Sequence, residues 1–479
     1  MLKKFSLTLF LFALLVQSST AQEVWSLEKC IDYAYQNSIN AKRAEITVKN
    51  AELTEKGNKL SRLPNLNLNA NYSLSFGRNI DIATNEFTTQ SIGTNNFTLS
   101  SGVTLYNGNR ITNSIKRSKI DTKAAKADAQ QIERDLALNV AVSYLNVLLS
   151  KEQLENSQKR LVQSKDQLTQ TDRLIKAGTR PEGDRYEILA QIARDEQLIV
   201  SGENTIIRNY LSLKQLLLLE PDFDLEIITP NIENIAEATG AELDQLSLSN
   251  TYDKAVNNQP QIEANNLRLQ SAELGVKIAK AGWYPSIQLF GQLDSRFSSQ
   301  GKAIDEIIPV IDETDARVNG IPVVIETLGA QTTLKDNPYF KQLDENLGYG
   351  FGVSLSMPLY QNGTTRIAVE RAKLDIITNQ LQTTEFKQNL KSQLQQAIAD
   401  AKAARKTFAS SERTLDANKI SFTNTEKRYR LGAVNTFEYT TARNTLDQSE
   451  IDYTLAKYEY VFRMKIVDYY LGKDMTIKE

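Results

Sequence analysis

Phe97-Thr98-Leu99 to Leu105-Tyr106 returns as Phe351-Gly352-Val353 to Leu359-Tyr360, an offset of 351 − 97 = 254 residues. The same offset carries Gly178 onto Gly432. Upstream, Leu63-Pro64-Asn65-Leu66 matches Tyr284-Pro285-Ser286-Ile287 at an offset of 221, and Asn37 falls on Asn258 at the same spacing. The difference, 254 − 221 = 33, is extra sequence between the paired strands of the second copy, where the loop 298–347 is much longer than its counterpart at 77–96. Repetition at fixed offsets constrains a fold more than local propensity does, because each copy must build the same supersecondary unit. The pattern predicts a helix–strand–loop–strand–long-helix–turn–helix unit used twice, over 22–235 and 236–479.

Strands are expected at 64–76, 97–106, 285–297 and 348–360. From Leu66 to Phe76 every even position is apolar or aromatic, and every odd position between them is Asn or Ser. Side chains alternate between the faces of a strand, so one face is oily and the other wet but uncharged. The last strand sets Tyr349, Phe351, Val353, Leu355, Met357 and Leu359 against Gly350, Gly352, Ser354 and Ser356. Segments of about ten alternating residues are the signature of a membrane β-barrel. Tyr106, Trp283, Tyr284 and Tyr360 at one set of ends, and Tyr72, Phe76, Phe97, Phe297 and Tyr349 at the other, suit two interfacial belts. A soluble antiparallel sheet is the alternative. Membrane barrels begin at about eight strands, and an open edge in lipid costs several kcal/mol per unpaired backbone group. Four strands therefore have to share a barrel with other copies of the chain. Two copies would give a filled interior, and three a wider one able to stay open. Asn65, Asn67, Asn69, Asn71, Ser354 and Ser356 are the expected pore lining.

The N-terminus is laid out for export. Lys3 and Lys4 precede an apolar run from Phe5 to Val16, and Ser19-Thr20-Ala21 supplies small residues for cleavage, so 1–21 reads as a signal peptide. The run is too short to span a bilayer. A formal charge of −2 argues against nucleic acid as the main partner. With no His and one Cys among 479 residues, thiolate or imidazole metal sites and a disulfide framework are excluded. Cys30 is expected to be buried in the first helix. No nucleophile motif or glycine-rich phosphate loop appears, so an enzyme and a bound cofactor are not expected.

Helical hairpins are expected over 109–220 and 363–472. From Asn109 to Ala177 no Gly or Pro interrupts the chain, which at 1.5 Å per residue allows a helix of about 100 Å. Val140, Val147, Leu154, Leu161, Leu168 and Ile175 recur every seven residues, and a small row, Ser143, Ser150, Ser157, Ser164 and Thr171, follows three positions behind. In the second copy the rows become Leu394, Ala401, Phe408, Leu415, Phe422 and Tyr429, with Ala397, Ala404, Ser411, Asn418 and Thr425. A sustained heptad means coiled-coil packing, and a small second row lets helices approach closely on another side. A soluble coiled-coil rod is the bland alternative. Gly178 and Gly432 are expected to end the long helices, Pro181 to open a return helix, and 222–250 to be less regular.

Tyr106-Asn107-Gly108, Tyr360-Gln361-Asn362-Gly363, Asn257-Asn258-Gln259-Pro260 and Arg428-Tyr429-Arg430-Leu431-Gly432, in this order within a two-fold repeat, make the chain resemble the TolC-like outer membrane efflux protein family over essentially its whole mature length. The resemblance implies a mixed α+β membrane protein: a homotrimeric twelve-stranded β-barrel, four strands per chain, continued by a long antiparallel coiled-coil α-helical barrel. It implies residence in the outer membrane of a Gram-negative bacterium, with outer-membrane lipid around the barrel and a periplasmic extension. It also implies a passive exit duct for tripartite efflux or type I protein secretion, with a periplasmic adaptor and an inner-membrane pump as partners. Carried over by position, a periplasmic gate falls on Asp184, Tyr429 and Glu438, while a second acidic position falls on Thr441 and a constriction arginine on Val434. The tips Gly178, Thr179, Leu431, Gly432 and Ala433 are the expected adaptor contacts. A trimeric structural or adhesive surface protein is the rival from another class, and the small wet strand face argues against its filled barrel.

Overall fold

A computed structural model describes residues 24–80, 87–89, 91–230, 232, 243, 248–473 and 475. The expected leader at 1–21, and part of the stretch 222–250, lie outside the described residues. The helices are α1 (Leu27–Asn37), α2 (Ile39–Leu60), α3 (Arg110–Lys176), α4 (Gly183–Leu217), α5 (Leu248–Asn258), α6 (Pro260–Lys280), α7 (Tyr339–Glu345), α8 (Thr364–Arg430) and α9 (Thr436–Leu471). The strands are β1 (Val24–Trp25), β2 (Asn65–Ser75), β3 (Asn79–Ile80), β4 (Phe87–Thr88), β5 (Ile92–Asn107), β6 (Glu226–Ile227), β7 (Ser286–Ser298), β8 (Lys302–Val318), β9 (Ile321–Asp336) and β10 (Gly348–Ser356). The described residues form two compact units, one drawn from within 1–52, 120–270 and 377–479, the other from within 53–119 and 271–376. Each takes parts of both sequence halves.

The first unit is helical. Its core gathers Val140, Tyr144, Val147 and Leu148 of α3, Leu213 and Leu217 of α4, Leu394 and Ala401 of α8, and Tyr460, Met464 and Val467 of α9. Cys30 of α1 is fully enclosed there, and burial pushes its thiol up to about 12. β1 pairs in parallel with β6, and the Tyr144 hydroxyl donates to the Ile228 carbonyl at 2.7 Å beside that pairing. The heptad row of α3 is deeply buried only at Val140 and Val147, whereas its small row, Ser143, Ser150, Ser157, Ser164 and Thr171, is buried throughout. At the lower positions of the small row lie polar groups of α4 and α9. Ser164 donates to Asp195 at 2.5 Å, Arg443 to Asp447 at 3.0 Å, and Arg160 to Ser157 at 3.0 Å. Burial raises the Asp447 carboxyl above its ordinary range, with Arg443 opposing the shift.

Both long helices end in one hydrogen-bond pattern. Thr179 N–H donates to Leu174 O (3.0 Å) and Gly178 N–H to Ile175 O (2.9 Å); Ala433 N–H donates to Arg428 O (2.9 Å) and Gly432 N–H to Tyr429 O (3.0 Å). This is the Schellman motif, and its members lie 254 residues apart (432 − 178). The return helices stop alike: Leu219 N–H donates to Lys214 O at 2.9 Å and Lys473 N–H to Asp468 O at 3.0 Å. Asn258 and Gln259 explain part of the Asn-Asn-Gln-Pro motif, because their amides donate to the orphan carbonyls of Leu471 (3.1 Å) and Tyr470 (3.2 Å) at the end of α9.

The second unit holds a four-stranded antiparallel sheet in the order β10-β7-β5-β2, so β10 and β2 are its edges. β5 starts earlier than the expected Phe97, because its ladder with β7 continues to Thr94↔Ser298. β10 stops at Ser356, short of the expected 360, because Pro358 has no N–H to add to a ladder. The expected loop 298–347 is instead a long hairpin of β8 and β9 followed by α7. Asn319 (φ 55°) and Gly320 (φ 82°) form its tight turn, and Pro309 and Pro322 are tolerated because a two-stranded ribbon is all edge.

Candidate functional site

Two places carry the residues singled out by the sequence. In the sheet, register assigns every side chain to a face, because directly paired residues share one. One face runs in rows Asn71–Asn96–Arg296, Asn69–Thr98–Asp294–Gly348, Asn67–Ser100–Gln292–Gly350 and Asn65–Gly102–Phe290–Gly352, then Thr104–Gln288–Ser354, with Ser356 opposite Ser286. The other carries Leu68–Leu99–Leu293–Tyr349, Ala70–Phe97–Ser295, Tyr72–Asn95–Phe297 and Val103–Leu289–Val353. The alternation of each strand therefore adds up to one wet face and one oily face across the whole sheet. Asn65, Asn67, Asn69, Asn71, Ser354 and Ser356 all lie on the wet face. Local bonds hold the amides: the Asn65 side-chain oxygen accepts from Gly102 N–H at 2.8 Å. Phe290 departs from the pattern, since it stands on the wet face while Gly291 takes the oily one.

The second place is where the two helix turns meet in the helical unit. Tyr429 is 1% exposed. Its hydroxyl lies 3.3 Å from Thr171 Oγ1 and 3.1 Å from Thr436 Oγ1. Its ring packs on Tyr439 at 4.6 Å between centroids, and burial raises the Tyr439 phenol above its usual value. Arg180, from the first turn, lies over the Tyr429 ring at 4.2 Å. It donates to the carbonyls of Tyr429 (3.2 Å) and Val434 (2.6 Å) and pairs with Asp184 at 3.6 Å. Arg180 and Asp184 are nearly enclosed, at 8% and 14% side-chain exposure.

Asp184 and Tyr429 are thus joined through Arg180. Glu438 lies apart, pairing with Arg428 at 3.3 Å on an exposed surface, while the Asn435 side chain caps its N–H at 2.8 Å. The Thr441 hydroxyl donates to Phe437 O of its own helix at 2.8 Å, and Val434 is buried against the tyrosines. At the tips Leu431 is 84% exposed, and an added Cβ at Gly178 or Gly432 would meet only open space. Arg180 had no sequence-assigned role, yet a signal existed: the constriction arginine position, 434, maps back by the repeat offset of 254 onto residue 180. Among the described residues no helix is long and apolar enough to cross a membrane, and no group of three or more His, Cys, Asp or Glu could hold a metal ion.

The family model for outer membrane efflux proteins matches residues 31–217 and 251–464. The solved structure of CusC, described in terms of transmembrane channel formation, superposes with a TM-score of 0.73 at 15% identity, covering 95% of this chain and 96% of that one. The outer membrane protein VceC of Vibrio cholerae gives a TM-score of 0.69 at 13% identity, covering 94% and 96%. A curated relative, Toxin and drug export protein A of Aggregatibacter actinomycetemcomitans, is 22% identical over 280 residues, 56% of this chain and 50% of its own. The chain spans about half the length of the curated relatives it matches.

Proposed function

The chain belongs to the outer membrane efflux protein family, whose members are outer-membrane channels of Gram-negative bacteria, and from that premise we propose that three copies close one conduit and act as the passive exit duct of a tripartite efflux pump. One observation carries the reading: a four-stranded sheet with two open edges, one mainly polar face and one mainly apolar face. In lipid those edges have to pair. Three sheets joined β2 to β10 give twelve strands, four from each chain. The Leu, Phe and Tyr face then meets lipid, and the Asn and Ser face, with Asn65, Asn67, Asn69, Asn71, Ser354 and Ser356, lines a water-filled lumen. The duplicated helical hairpins supply the α-helical barrel on the periplasmic side.

Arg180, Asp184 and Tyr429 hold the periplasmic entrance shut, and Glu438 contributes an outer ion pair. The tips around Gly178, Thr179, Leu431, Gly432 and Ala433 meet a periplasmic adaptor, which couples the duct to an inner-membrane pump. The name of the curated relative, which joins toxin and drug export, fits an export role. Protein purified in detergent is expected to sediment as three chains and to give stepwise ion conductance in planar bilayers. A monomer that leaves the bilayer insulating would overturn the proposal.

A further inference from the structure

We propose that Phe290 is a contact point for aromatic, preferably cationic, cargo on the inner wall of the barrel, and so a specificity-determining residue of the duct. The inference rests on the trimeric conduit reading above. Phe290 is the one aromatic side chain on the wet face of β2, β5, β7 and β10. Along its own strand the neighbours on that face are Gln288 and Gln292, and across the sheet it is flanked by Gly102 and Gly352.

The two glycines decide how the ring sits. A Cβ built on Gly352 would fall 2.8 Å from Phe290 Cζ and 3.2 Å and 3.4 Å from the two Cε atoms. The phenyl group therefore lies down across Gly352, in space that any other residue there would fill. One side of the ring rests on the sheet, and the side chain keeps 44% of its surface exposed. With three copies, three such rings would stand at one height of a wall otherwise built mainly of amides, hydroxyls and glycines, with Asp294 and Arg296 further along β7. An aromatic face attracts cations through its quadrupole and other rings through stacking, whereas Asn, Ser and Gln offer a passing ring nothing better than water does. A strongly polar wall with one lying aromatic per chain lets most solutes slide and gives flat aromatic cations a weak, reversible foothold.

The test is block of potassium current through the reconstituted full-length channel by benzyltrimethylammonium, with tetramethylammonium as the cation lacking a ring. The native channel should be blocked more strongly by the aromatic cation. Phe290→Asn should weaken that block about fivefold, the size of one partly exposed cation–π contact, and leave tetramethylammonium unchanged. Phe290→Leu keeps apolar packing over Gly352 but removes the ring face, so it should weaken the block as well even if the Asn variant assembles poorly. Gly352→Ala should lift the ring into the lumen and lower potassium conductance, and Phe290→Asn in the same chain should restore it. Equal aromatic block in the native, Asn and Leu channels would overturn the role of Phe290. A native protein that passes no ions would instead overturn the conduit reading.

Discussion

Arg180 reaches from the first helix turn to the second with three kinds of contact: an ion pair to Asp184, two bonds to carbonyls, and a cation lying over the Tyr429 ring. Arg180→Ala removes all three and leaves the nearly enclosed Asp184 without its counter-charge, a loss of about 3 kcal/mol on the scale of broken buried pairs. Such channels should conduct several-fold better in bilayers than the native form. Tyr429→Phe combined with Asp184→Ala gives up the two hydroxyl contacts and the ion pair but keeps the carbonyl bonds of Arg180, so it should open less. Unchanged conductance in both variants would rule out this latch. Tyr429 and Asp184 could be marked from the sequence because they stand where the family pattern places them. Arg180 could not, because its reach across to the second turn ends on a ring face and on backbone carbonyls, which no residue pattern displays. Only the duplication, which relates it to Val434, pointed there. Phe290 was legible in principle, since Leu289-Phe290-Gly291 shows the aromatic out of phase, but register was needed to show the glycines beside it.

Among the elements, α3 departs furthest from an ordinary zipper. Its large heptad row is only half-buried below Val147, while its serine row is enclosed against polar residues of α4 and α9. In a two-stranded coiled coil, Leu at such a position would strengthen the seam. Here Ser150 is buried with its hydroxyl bonded to Val147 O at 2.8 Å, and Leu would bring two more heavy atoms into that enclosed position. Ser150→Leu is therefore expected to cost 1–3 kcal/mol by overpacking and to lower the unfolding temperature in detergent. A rise would mean that the row is loosely packed. The seven-residue period and the helix stops were readable from the chain because they are local. Which helices close on the small row was not, because the answer lies in α4 and α9, dozens to hundreds of residues away. The hairpin of β8 and β9 escaped for another reason: three prolines and scattered charge in 298–347 read as loop, although a two-stranded ribbon can carry both.

For the whole molecule, the sheet and the helix tips make separable demands. In the proposed duct, conduction would need a closed barrel, whereas export would also need an adaptor seated on the tips. Leu431 is 84% exposed and packs on nothing that holds the fold, so its apolar surface is free for a partner. Leu431→Asp should leave the three-chain mass and bilayer conductance intact while cells expressing it lose drug resistance. Normal resistance would show that the tip is not the docking point. Alternation within each strand was visible in the sequence, as was the shortage of strands for a barrel. Strand order was not, since β7, which begins at Ser286, comes to pair with β5, which ends at Asn107.

The two turns share one backbone geometry, but at the position two residues past the turn glycine only the first has an arginine, Arg180, where the second has Val434. Duplication on its own would offer a closed trimer a ring of six equivalent joints. Because position 180 is Arg and position 434 is Val, the proposed trimer would have three gripping joints and three greasy ones. In that trimer the rotational symmetry at the entrance would be halved, and the iris would dilate in three sectors where a perfectly doubled chain would allow six.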